Sequence, residues 1–179
     1  MITKSKSEIR KTAKQAVKAL TSEQKRAKSA LILKNIADFE LIKRAKVVAL
    51  YASLPDEVDS SKLIEAISAE KRVVLPRVAG DDMDFYPYDP TTMEIGTFGI
   101  AEPQGERAVE PSEIDVIVVP GVAFTAEGKR CGRGKGYYDK YLSREGFRAA
   151  KIGVCYKEQL AEEIPNEPHD ILMDFLFFG

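Results

Sequence analysis

The sequence predicts an α/β domain with a mainly parallel sheet, and three observations carry that prediction. Short β-branched runs alternate with amphipathic helical stretches along the chain. The runs are apolar throughout rather than alternating, as strands buried on both faces are. One of them passes through a glycine-rich loop straight into a helical pattern, the order expected of a strand–loop–helix unit. Neither an internal repeat nor a low-complexity segment interrupts the 179 residues, a length that suits a single domain spanning 1–179.

Each element has its own signal. Ser5-Lys6-Ser7-Glu8 has the form of a capping box, and Ile9, Ala13, Ala16, Val17 and Leu20 follow at helical spacing. Thr21-Ser22-Glu23-Gln24 repeats the form ahead of a second helix carrying Ala27, Ala30, Leu31, Leu33 and Ile36. Lys46 to Tyr51 reads as a buried strand whose C-terminal end meets the polar, proline-marked loop Ser53–Asp59. Ser60 or Ser61 then caps a helix with Leu63, Ile64 and Ile67 inward. Arg72 to Pro76 is a second core strand, and a turn at Gly80-Asp81-Asp82 leads into a strand around Met83 to Pro87. From Asp89 to Glu113 the periodicity is weak and Pro, Gly and Thr are frequent, so loops and short strands are expected. Phe98 to Pro103 should cross near the ligand edge of the sheet. Asp115 to Gly121 is the central strand, Tyr137 to Leu142 a helix, and Lys151 to Val154 and Leu172 to Phe178 the last strands.

Composition excludes several classes. Apolar residues make up 44% and charged residues 31%, with a net charge of −1. That balance is ordinary for a globular protein and lacks the basic excess of a nucleic-acid binder. No run approaches membrane-spanning length. The opening MITKSKSEIRK lacks the apolar core of a secretory signal, so a cytoplasmic protein is expected. Cys131 and Cys155 match no metal spacing and are read as thiols, Cys131 exposed by its loop. With His169 the single histidine, histidine-rich metal sites and a Ser-His-Asp triad are disfavoured.

The stretch Arg130-Cys131-Gly132-Arg133-Gly134-Lys135-Gly136-Tyr137-Tyr138-Asp139 carries the chemistry. Its glycines allow positive φ and let backbone N–H groups reach a ligand. Successive N–H groups of that kind form a concave anion site. Arg133 adds a planar fork and Lys135 a point charge, a pairing suited to polyphosphate. Neither the GxGxxG nor the Walker A spacing is met. Asp139 is either a helix N-terminal acid or a Mg²⁺ ligand, and Asp174, a carboxylate in an apolar run, is the second acid available. Glu57 sits in an acidic turn with Asp56 and Asp59, read either as a solvated turn or as an acceptor for a ligand's N–H donors. Lys6 and Arg10 share one helix face. Tyr137 and Tyr138 either stack on a ring or fill core. His169-Asp170 is read as a turn, since no nucleophile is evident beside it.

The run GRGKGYYDKYL resembles the glycine-rich ATP loop of the 5-formyltetrahydrofolate cyclo-ligases, also called methenyltetrahydrofolate synthetases. The likeness extends through KSEIR, VALY with DEVD, VVLPRV, MDFY, GIAEP, VIVVPGVAF, IGV, EPHD and a closing MDF, in the family's order. It implies a three-layer α/β sandwich related to sugar-phosphate isomerases and CoA transferases. It also implies ATP- and Mg²⁺-dependent closure of 5-formyltetrahydrofolate to 5,10-methenyltetrahydrofolate. The substrate would be accepted with or without a polyglutamate tail, and the enzyme would be a monomer. By the same resemblance Lys6, Ser7, Glu8, Ile9 and Arg10 touch ATP, and Arg130, Cys131, Gly132, Arg133, Gly134, Lys135, Gly136, Tyr137 and Tyr138 cradle its phosphates. Ala52, Glu57 and Arg133 through Tyr137 face the folate, with Arg133, Lys135 and Tyr137 closest to the chemistry. Asp139 and Asp174 hold the metal. Two departures from the family pattern are Cys131, where leucine is usual, and Thr125, where an Asp often follows Phe124; the N-terminal register leaves Lys4 and Lys6 as alternatives. Two other readings compete: a sugar-phosphate isomerase with Glu57 or Asp139 as base, and a non-catalytic nucleotide-binding regulator.

Overall fold

The computed structural model describes residues 4–179. The chain opens with two capped helices, α1 (Lys6–Lys18) and α2 (Ser22–Ala37). Ser5 and Thr21 each accept from the backbone N–H three residues on, and Glu8 and Gln24 return the bond, so both capping boxes close as the sequence predicts. Helix α1 buries Ile9, Ala13 and Val17. Helix α2 departs from expectation: its inward stripe is Ser29, Ile32, Leu33 and Ile36, while Ala27, Ala30 and Leu31 face out. The physical reason is Ser29, whose hydroxyl meets the Tyr156 hydroxyl at 3.1 Å and accepts from Asp59 N–H. Those bonds fix the helix rotation at a residue that hydrophobicity alone would leave outside.

A short helix α3 (Glu40–Arg44), unforeseen in the sequence, precedes β1 (Val47–Ala49). Helix α4 (Ser61–Ser68) then leads to β2 (Arg72–Ala79). Ser60 occupies the N-cap position, but its hydroxyl binds Tyr51 C=O and Asp59 accepts from Ser61 N–H instead. A Gly80–Asp81 turn joins β2 to the antiparallel β3 (Asp82–Pro87). The irregular stretch that follows forms a small hairpin, β4 (Glu94–Ile95) with β5 (Ala101–Glu102). Strand β6 (Val116–Pro120) is buried throughout. A second hairpin, β7 (Ala123–Phe124) with β8 (Arg130–Cys131), feeds helix α5 (Tyr137–Leu142). Strands β9 (Ala150–Cys155) and β10 (Phe175–Phe178) complete the sheet.

The main sheet runs β10-β9-β6-β1-β2-β3, parallel except for β3. Side chains alternate between its faces. Val48, Leu50, Val73, Leu75, Val116, Val118, Ile152 and Val154 pack under α2, α3 and α4. Ala49, Val74, Ile117, Val119 and Cys155 pack on the other side against Tyr141 and Leu142 of α5, Phe124 and Met173. The result is helix layer, sheet, and a thinner layer of helix and hairpin. From β1 the sheet is built outward through β2, and from β6 it is built the opposite way through β9. Between β1 and β6 the order reverses, and in open α/β sheets ligands bind beyond the strand C-termini at such a point.

Candidate active site

A cleft opens at that point. Tyr51 and Ala52 line it just past β1, and Pro120 and Gly121 at the end of β6. Phe98, Ile100 and Glu102 cover one side, which is where the sequence placed the Phe98–Pro103 crossing. Leu54, Glu57, Met83, Tyr137 and Tyr138 complete an apolar wall with few polar groups, the usual make-up of a small-molecule site.

The glycine-rich segment forms its rim. Gly134 and Gly136 have φ of 100° and 71°, a region costly for residues with a Cβ, so their glycines are required by the turn. The segment is anchored from behind by α1: Arg10 Nε donates to Gly132 C=O at 2.7 Å, and its guanidinium packs beside Gly134. Helix α5 has six residues, too short for a dipole of consequence, so the expected helix N-terminus contributes little and anion affinity rests on the loop itself.

Arg133 reaches across the cleft mouth to the loop after β1. Its guanidinium donates to Glu57 Oε1 at 3.2 and 2.9 Å and to Asp56 as well. Burial opposes the charge on Arg133, but Asp56 and Glu57 outweigh it and raise its pKa. Burial pushes the Glu57 carboxyl up, against the pull of Leu54 N–H and Arg133. Lys135 is exposed and, among the described residues, makes no ion pair. Tyr137 donates to Gly80 C=O at 3.1 Å and meets Phe98 edge-on. Tyr138 is held by Phe85 and by Arg130, whose guanidinium lies 5.4 Å from the ring centre, and burial raises its hydroxyl pKa. Arg130 is buried on the cleft wall, paired with Asp139 at 2.9 Å, with its Nε unpartnered.

Several expected contacts are relocated. Ile9 belongs to a core cluster with Val122, Ala123 and Ile164, and Glu8 is engaged in its capping box, so neither side chain faces the cleft. Ser7 is exposed and Lys4 likewise, while Lys6 is held by Glu167 at 2.7 Å and Asp170 at 2.6 Å. Cys131 is buried rather than exposed, because β8 turns its side chain into that same cluster, and burial raises its thiol pKa. His169 lies on the surface of a turn closed by Asp170 accepting from Glu167 N–H, as expected.

Asp139 and Asp174 are not a ready metal pair. Both oxygens of Asp139 are taken, one by Arg130 and one by Ile171 N–H. Asp174 precedes β10 and is bound by both the backbone N–H and the ammonium of Lys151. Lys151 pairs with Ile117, three residues back from Pro120 at the cleft. The sheet register thus sets Asp174 at the strand N-terminal ends, away from the C-terminal ends that border the cleft. The residues present do not fit a Mg²⁺ held by these two acids. They do fit a phosphate: Lys135, with no ion pair among the described residues, borders the cleft beside the positive-φ turn at Gly134 and Gly136. Glu102, buried on the cleft wall, went unrecognised, because an acid in a stretch without periodicity carries no sign of burial.

Fold and site together define an α/β protein whose switch-point cleft has aromatic, largely apolar walls and a rim carrying Arg133 and Lys135. The model of the 5-formyltetrahydrofolate cyclo-ligase family matches residues 2–178, and the chain belongs to that family. A relative from Escherichia coli strain K12, named 5-formyltetrahydrofolate cyclo-ligase, is 32% identical, with 88% of this chain and 91% of the relative covered. The solution structure of the Aquifex aeolicus 5,10-methenyltetrahydrofolate synthetase superimposes with a TM-score of 0.87 at 38% identity, covering 97% of this chain and 89% of that one. A 5,10-methenyltetrahydrofolate synthetase from Mycoplasma pneumoniae gives a TM-score of 0.76 at 28% identity, covering 96% of each chain.

Proposed function

We propose that this chain, acting as one domain, closes 5-formyltetrahydrofolate to 5,10-methenyltetrahydrofolate with consumption of ATP. The observation that carries the reading is the cleft itself: aromatic walls from Tyr51, Phe98, Tyr137 and Tyr138 run directly into the rim holding Arg133 and Lys135. A ring and a polyphosphate can therefore meet in one site. The formyl oxygen attacks the γ-phosphorus and ADP leaves. N10 then adds to the activated carbon and gives up its proton, phosphate departs with the former formyl oxygen, and the methenyl bridge forms. An amide oxygen is a poor leaving group and phosphate a good one, so phosphorylation makes the closure feasible. The protein's task is to align the two substrates and offset charge developing on the transferring group.

In this reading Lys135 and Arg133 meet the phosphates and Tyr137 borders the reacting atoms. Ala52 and Glu57 line the folate side, and Gly132, Gly134 and Gly136 let the backbone approach. Arg10 acts by fixing the loop through Gly132. Magnesium would arrive with the nucleotide's phosphate oxygens, a common way for it to be held, and no step is assigned to Asp139 or Asp174. A cytoplasmic monomer completes the proposal; no helix of the described residues is long and apolar enough to cross a membrane. The test is near-ultraviolet absorbance of the protein with 5-formyltetrahydrofolate and Mg²⁺, with and without ATP. Growth of the methenyl chromophore only with ATP is expected. Absence of growth in folded protein would return the isomerase and regulator readings.

A further inference from the structure

Two buried acids line the cleft, and their surroundings differ. Glu57 is taken up by protein: Oε1 meets Arg133 twice and Oε2 accepts from Leu54 N–H at 2.9 Å. Glu102 is 5% exposed, yet among the described residues it forms no ion pair, and the contact to its carboxylate is Val78 N–H at 3.5 Å. One oxygen has that single long contact and the other has no partner among the described residues without being fully enclosed, so the carboxylate is left to be satisfied from the cleft.

The surroundings hold Glu102 in place. Its backbone pairs with Glu94 across the β4–β5 hairpin. Arg77, packed 3.6 Å from the Tyr86 ring centre, donates to Pro103 C=O and Gly105 C=O at 3.1 and 3.0 Å and fixes the chain that follows. On the hairpin's other strand Gly96 lies against the carboxylate. A Cβ there would come within 2.1 Å of Glu102 Cδ, so the absence of a side chain leaves the acid its position. The arrangement positions an acceptor before any ligand arrives.

Resting on the cyclo-ligase reading, we propose that Glu102 is the residue that recognises the folate ring. Its two oxygens accept from the adjacent 2-amino and N3 N–H groups of the pteridine's amino-pyrimidinone edge. A carboxylate offers two acceptors side by side, the complement of two neighbouring N–H donors. Glu57 then serves as the anchor of Arg133 rather than as the ring acceptor that the sequence suggests.

The test measures the dissociation constant of 5-formyltetrahydrofolate by calorimetry without ATP, and KM for ATP in the chromophore assay, for wild type and Glu102→Gln. Folate affinity should fall about tenfold or more, the scale of a lost hydrogen bond to a charged group, with KM for ATP within about twofold. The 2-desamino-2-methyl analogue should bind both proteins with nearly equal affinity, a result that a merely structural residue would not give. Should Glu102→Gln fold poorly, Glu102→Asp withdraws the carboxylate while keeping its charge and should show the same selective loss. Unchanged folate affinity, or an equal loss for the analogue, overturns the assignment and leaves the cyclo-ligase reading standing. A wild type that neither binds 5-formyltetrahydrofolate nor forms the chromophore removes both.

Discussion

Arg130 and Arg133 stand three positions apart in the glycine-rich segment and hold ion pairs of different kinds. The Arg130–Asp139 pair is inside the molecule, with side-chain exposures of 4% and 16%. It ties β8 to α5 and, through Ile171 N–H, to the segment ahead of β10. The Arg133 pairs with Asp56 and Glu57 span the cleft mouth, with the guanidinium and Asp56 each about a third exposed. A buried pair resists loss of a partner because the survivor cannot be solvated, whereas a pair at the surface exchanges readily with water. The inner arginine therefore builds the wall, and the outer one can release Asp56, its exposed partner, to a ligand while holding the buried Glu57.

Breaking the inner pair should have the largest effect. Asp139→Ala leaves Arg130 buried with Nε already unpartnered, and a stability loss of about 3 kcal/mol is expected from urea unfolding. A loss under about 1 kcal/mol would place Arg130 in the same class as Arg133. Next comes Lys135, the cation with no ion pair among the described residues. Lys135→Ala should raise KM for ATP about tenfold while moving stability by less than about 0.5 kcal/mol, as surface changes do. Unchanged ATP kinetics in that variant would remove Lys135 from the rim's function.

Smaller effects sharpen the outer pair. Burial raises the Glu57 carboxyl above its ordinary 4.5, so its contribution to stability is present below 4.5 and fades as pH rises through the higher folded value. Glu57→Gln should remove that decline, which unfolding midpoints measured from pH 4.5 to neutrality will show; parallel curves for variant and wild type would contradict it. Asp56 behaves oppositely. Although burial acts to raise it, its hydrogen bonds and charge pairing with Arg133 hold the carboxyl below the ordinary 3.8. Its contribution is present above 3.8 and is lost as pH falls through the folded value. Because Asp56 is about a third exposed, Asp56→Asn should cost only about 0.5 kcal/mol, and 1 M salt should erase the difference. A cost that survives high salt would mean the outer pair is shielded after all.

The sequence exposes what depends on local rules and conceals what depends on tertiary packing. Ser5 and Thr21 sit beside their own capping partners, and the apolar runs that became β1, β6 and β9 declare their burial residue by residue. The glycine loop was legible because positive φ at Gly134 and Gly136 has few other solutions. Helix α2 was misoriented because Ser29 turns inward for a hydroxyl 127 residues away. Cys131 reads as exposed by its loop and Ile9 as an ATP contact, but both side chains belong to one core cluster. Asp174 lies inside an apolar run in the sequence, yet the register of β10 on β9, which no local pattern encodes, commits it to Lys151. The acidity of Glu102 was visible; its enclosure depended on Gly96 lying opposite.

The bond from Arg10 to Gly132 spans 122 residues of chain. Helix α1 forms from local sequence, but the loop it steadies lies 122 residues further along the chain. Closing so long a contour is entropically slow and becomes favourable only once the intervening sheet has formed. The rim is therefore a late event in maturation. A chain cut between the two would lose the tie that holds Gly132 and the turn at Gly134 in place.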